Sequence, residues 1–142
     1  MYSLIKGLTL ASAGFGISAV TQVFGGFDTL LRTLLVFMAV DFVSGIAAAV
    51  VFKTSDKTDT GRLSSRAGFE GLIKKGCCLL LIAVAVHLDA LLGTNSFTRD
   101  AVIIAFILNE LLSILENMGR MGIKLPAALT NAMEMLNKRQ AG

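Results

Sequence analysis

The chain has 142 residues, one domain's worth of length, with 54% apolar and only 16% charged residues and a mean hydropathy of +0.73, where a soluble domain carries about 25% charged residues. Thirteen Lys and Arg against ten Asp and Glu give a net charge of +3, which excludes a uniformly basic nucleic-acid binder. The adjacent Cys77 and Cys78 cannot staple a loop, and one His, no Trp and no Gly-rich phosphate cradle leave no set of residues suited to a catalytic, metal or cofactor site. The composition therefore predicts an all-α integral membrane protein rather than an enzyme.

Residues 1–27 are apolar but dilute, built from Gly, Ala, Ser and Thr with Lys6 near the start. At 100° per residue, Gly7, Ala11, Gly14 and Ser18 share a narrow small-residue face while Ile5, Leu8, Phe15, Ala19 and Val23 share another. This predicts an amphipathic helix ending at Gly25-Gly26, lying in the membrane interface or re-entering it, with a fourth crossing as the alternative. It lacks the basic start and clean apolar stretch of a cleavable signal peptide and is expected to stay in the mature protein.

A bilayer core of about 30 Å needs about 20 apolar residues at 1.5 Å each, and three windows meet that length nearly free of charge. Residues 33–52 contain one ionisable group, Asp41; residues 76–92 contain His87 and Asp89; residues 101–118 contain Glu110 and Glu116. The second and third are expected to be less hydropathic than the first. Residues 53–75 form the one long polar connection and read as a basic loop, although Ser64-Ser65 offers a helix N-cap leading into the second span. After Gly119 and Gly122, Pro126 restarts a short amphipathic tail helix over 126–139, with Leu129, Ala132, Met133 and Leu136 on one face. The whole is one membrane domain.

Basic residues decide the orientation. Lys53, Lys57, Arg62, Arg66, Lys74 and Lys75 lie in the first loop and Arg120, Lys124, Lys138 and Arg139 follow the third span, leaving Lys6, Arg32 and Arg99 elsewhere. By the positive-inside rule that side is cytoplasmic. A multi-pass membrane protein with its C-terminus on the cytoplasmic side is expected.

The polar residues within the spans are the candidate functional ones, because a charge at membrane depth costs about 2.5–3.5 kcal/mol and normally faces protein or water. Asp41 and His87 lie at similar rises along their helices, so they either form a titratable pair lining an aqueous path or hydrogen-bond once inside one protomer. Asn109, Glu110, Ser113, Glu116 and Asn117 form a stripe on the third span that either buries against the first span or lines an oligomeric lumen. Asp41, Ser44, Gly45 and Ala48 line one face of the first span and, with the small face of residues 1–27, suit close helix packing and self-association. Asp89 is expected to be exposed at the interface, and the two cysteines to be apolar filler.

The order of short motifs is more specific than any one of them. Gly26-Phe27-Asp28, Asp41-Phe42-Val43-Ser44-Gly45, Ser64-Ser65-Arg66-Ala67-Gly68-Phe69-Glu70-Gly71-Leu72-Ile73-Lys74-Lys75, Leu88-Asp89, Asn109-Glu110-Leu111-Leu112-Ser113-Ile114-Leu115-Glu116-Asn117 and Gly122-Ile123-Lys124-Leu125-Pro126 together resemble the phage lysis and toxin-secretion holin family over about residues 24–137. The resemblance implies a protein that accumulates in the cytoplasmic membrane among lipid, associates with itself and permeabilises the membrane. Its functional partner would be an endolysin or, in toxin loci, an exported toxin. A small proton-coupled transporter would also use a mid-membrane carboxylate, but an aromatic-lined substrate chamber is not suggested by one Tyr and no Trp.

Overall fold

A computed structural model describes residues 1–53 and 64–140, which leaves Lys57 and Arg62 outside the described residues together with the side chain of Ala11. The described residues are helical throughout, with short connections. Helix α1 covers Tyr2–Val23, α2 Thr29–Ala47 with a π-helical turn Ala48–Phe52 added to it, α3 Ser65–Leu92, α4 Phe97–Arg120 and α5 Ala127–Gln140.

Local chemistry sets each boundary. Helix α1 closes where Gly25 and Gly26 take φ of +72° and +103°, their amides bonding back to Gln22 and Thr21 carbonyls. The left-handed region costs residues with a Cβ about 1–2 kcal/mol, so glycine is the residue that can turn the chain here. The Asp28 carboxylate then caps α2, accepting from the Leu31 amide at 2.9 Å in the ordinary N-cap manner. Ser64 caps α3 through Ala67, as its sequence position predicts, and Gly93 in the left-handed region ends it.

Helix α3 therefore begins at Ser65, and the last eleven residues of the segment expected as loop are helical. The apolar window stopped short at Lys74 and Lys75. A hydropathy window cannot see that a charge has counter-charges waiting on other helices.

Three helices, Thr29–Phe52, Ser65–Leu92 and Phe97–Arg120, are long and apolar enough to cross a membrane, and their mean hydropathy falls in that order. Helix α4 sits between the other two, packing most extensively on α2 and then on α3, while α2 and α3 barely touch. The buried apolar layer comprises Leu31, Leu34 and Met38 of α2, Ile82 of α3 and Ile103 of α4, with Phe24, Cys78, Leu79 and Phe106 around it. Apart from Cys78, at the middle of α3, these lie toward the α3–α4 turn. In the opposite half of the bundle polar side chains share the interior with Ala48, Ala49 and Leu115.

Helix α1 stands apart from this packing. Tyr2, Leu4, Phe15, Ile17 and Val20 are exposed, Ser18 is exposed, and a Cβ placed on Gly7 or Gly14 would meet nothing within 4 Å. Among the described residues of the small face of α1, Gly7, Gly14 and Ser18 thus have no close helix packing inside the protomer. In α2 the corresponding face does pack: Ser44 and Ala48 are buried, and a Cβ on Gly45 would lie 3.7 Å from Asn117 Nδ2.

Candidate functional site

Two polar clusters bracket the apolar layer. At the α3–α4 turn, Asp89 is buried and accepts from the Thr94 hydroxyl, the Thr98 amide at 2.9 Å and the Arg99 amide at 2.8 Å. Ser96, the residue before α4, makes no side-chain cap, so a carboxylate from the preceding helix does that work. This corrects the expectation of an exposed Asp89. Arg99, 2% exposed, reaches across to the α1–α2 connection. It donates to the Phe24 carbonyl at 2.7 Å, the Gly26 carbonyl at 3.2 Å and the Asp28 carboxylate at 2.6 Å, and also to Asp100 at 2.8 Å.

The second cluster lies at membrane depth. Asp41 is about 18 Å along α2 from Thr29 and Glu110 about 20 Å along α4 from Phe97, at 1.5 Å per residue. Between them comes the ammonium of Lys75, 2.8 Å from Asp41 Oδ2 and 2.5 Å from Glu110 Oε2. Asn117 adds a second tie between α4 and α2. Its Nδ2 donates to Asp41 Oδ1 at 3.1 Å and to Ser44 Oγ at 3.0 Å; Gly45 leaves the space for that approach. Among the described residues, no buried side-chain nitrogen or oxygen lacks a partner.

Beside the bridge a cleft of about 190 Å³ opens between α3 and α4, with Gly71, Lys74, Asn109 and Ser113 on its walls and the bridge at its floor. Several polar side chains border it, and it is large enough for several waters, each taking about 30 Å³.

The sequence-derived residues divide accordingly. Asp41, Glu110, Asn117 and Ser44 meet in one cluster, and Ser113 and Asn109 border it. Glu116 points outward, 3.7 Å from Arg120 one turn on. His87 does not meet Asp41: its ring is exposed and its Nδ1 donates to the Ala83 carbonyl at 2.8 Å, beside the outward-facing Leu80, Val84 and Leu91. Rise along the axis had matched, but the face had not. His87 lies five residues from the buried Ile82, about 140° around the helix. Lys53, Arg66 and Lys74 are exposed, with Arg66 paired to Glu70, whereas Lys75, expected in the basic loop, is the centre of the bridge. Its signal was present in the period: Lys75, Cys78, Ile82, Ala85 and Asp89 recur at helical spacing on one face.

Fold and site together define a small membrane-embedded protein of three spanning helices tied by charges at membrane depth. The chain belongs to the bacteriophage holin family, whose profile matches residues 18–138. It is 42% identical over 124 residues to an uncharacterized protein of Listeria innocua, covering 87% of this chain and 82% of the relative. An uncharacterized protein of Clostridium perfringens is 36% identical over 121 residues, 84% of this chain and 86% of the relative. A protein of Bacillus phage phi105 named "Probable holin" is 30% identical over 106 residues, 75% of this chain and 73% of that protein. No solved structure matches.

Proposed function

We propose that the protein acts as a holin: it accumulates and self-associates in the bacterial cytoplasmic membrane and permeabilises it, so that an endolysin reaches the cell wall and the host lyses. The action is physical rather than catalytic. Membership of the holin family along most of the chain carries this reading, and the polar layer inside otherwise lipid-compatible helices supports it, because such a layer is costly unless it serves packing or water. The exposed Lys53, Arg66, Lys74 and Lys124 all belong to the end of the bundle opposite the α3–α4 turn. The positive-inside rule makes that end cytoplasmic and sends the C-terminus inside.

Inducible expression in bacteria, with and without a co-expressed endolysin, tests the reading. Potassium should leave the cells in both cases and lysis should follow only with the endolysin. Abundant inserted protein with no potassium release would overturn it.

A further inference from the structure

The polar face of α4 has two ways to avoid lipid, and they exclude one another. In the protomer, Glu110 is bound to Lys75 and Asn117 to Asp41 and Ser44, so the face is turned inward. To border water in an assembled lesion, the same groups have to leave those partners. The population of each state then follows the free-energy difference between them. Lys75 holds the central position in the inward state, since its one ammonium joins α3 to both α2 and α4. Helices α2 and α3 otherwise touch little.

We propose that Lys75 is the positioning residue of a latch: its two ion pairs keep the polar face of α4 inside the protomer, and permeabilisation requires those pairs to part. The latch rests on the permeabilising reading above and adds what restrains it. Two features of the structure suit a tie that opens. The cleft beside the bridge lets water approach the ions, which lowers the cost of separating them. On the same wall of α3 nearer its N-terminus, Gly68 and Gly71 would have no atom within 4 Å of a Cβ. Among the described residues, then, Gly68 and Gly71 add no close packing beyond Lys75 to hold the helices together once the ions part.

The sign of the effect separates a latch from a brace. Losing a brace lowers folded protein and leakage together; losing a latch raises leakage per folded protein. Full-length protein would be reconstituted in vesicles of phosphatidylethanolamine and phosphatidylglycerol containing a self-quenched dye. In a Cys77→Ser, Cys78→Ser background, Gly71→Cys and Ser113→Cys on opposite walls of the cleft would report helix separation through a short bifunctional maleimide, independently of leakage.

Lys75→Met should lower the cross-link yield several-fold and raise dye release per inserted protein several-fold. The neutral variant Asp41→Asn, Lys75→Met, Glu110→Gln should do the same without stranding an unpaired charge, which keeps the test open if Lys75→Met folds poorly. Lys75→Arg should restore the cross-link and return leakage toward the parent, and Lys53→Met, removing an exposed lysine elsewhere, should leave the cross-link unchanged. An unchanged cross-link in the neutral variant, or leakage that merely falls with folded protein, overturns the latch. A neutral variant whose helices part while neither it nor the parent releases dye would overturn the permeabilising reading instead.

Discussion

Arg99 is the most buried charged residue among those described, and three of its contacts reach Phe24, Gly26 and Asp28, more than seventy residues away in sequence. Arg99→Met would orphan two backbone carbonyls and leave the Asp28 and Asp100 carboxylates without their counter-ion. It should lower the thermal stability of the protein in micelles, read by circular dichroism, by about 3 kcal/mol. The Arg99 guanidinium, hydrogen-bonded to Asp28, holds that carboxyl below its ordinary value. A folded-state value below the unfolded one means that the stabilisation is complete above about pH 4 and is lost as pH falls through the lower, folded-state value. Asp28 is half exposed, so solvent screening keeps the effect modest; Asp28→Asn should flatten the acid side of the melting profile by a few degrees. Gly25→Ala would meet Arg99 Cδ and Nε at 3.0 Å in a backbone of φ +72° and should also destabilise. At this scale the sequence was half legible. Asp41, Glu110 and Asn117 are conspicuous as polar letters in apolar windows. Lys75 and Arg99 are not, because basic residues at window edges read as loop, and only the helical face that they share with buried neighbours reveals them.

Among the elements, α2 and α4 pack through the apolar layer, and Gly45 leaves room for the Asn117 tie between them. Gly45→Leu drives a side chain toward Asn117, an overpacking worth about 1–3 kcal/mol, and should lower the melting temperature of the protein in micelles by several degrees while membrane insertion persists. An unaltered melting temperature would show that this contact does not hold the two helices together. Helix α3 has 28 residues, about 42 Å, against a hydrocarbon core of about 30 Å. About eight residues therefore project beyond the core, and the exposed Arg66–Glu70 pair belongs to them. Helix α1, with 22 residues and about 33 Å of length, is long enough to cross but makes little contact with the bundle. Deleting Tyr2–Val23 should shift the melting temperature of the remaining helices by only a few degrees, and a much larger fall would show that α1 stabilises them. Existence and order of the elements were readable from apolar length and caps. The independence of α1 was not, since a small-residue face looks the same whether or not a partner is present.

For the whole molecule, the orientation rests on charge. In a background lacking Cys77 and Cys78, Asn95→Cys in the α3–α4 turn should react with an impermeant thiol reagent in intact cells, and Arg66→Cys should react only after the membrane is opened. The reverse pattern would invert the topology. The bridge also bears on how the chain is made. Asp41 precedes Lys75 by 34 residues and Glu110 lies 35 residues further on, so at about 5–20 residues per second the carboxylate of α2 leaves the ribosome seconds before its counter-ion. During that interval α2 bears an uncompensated acid. Its residence in the bilayer should become firmer when α3 arrives with the counter-ion. Nascent chains ending just beyond Phe52 should accordingly be extracted by alkali more readily than chains ending beyond Leu92.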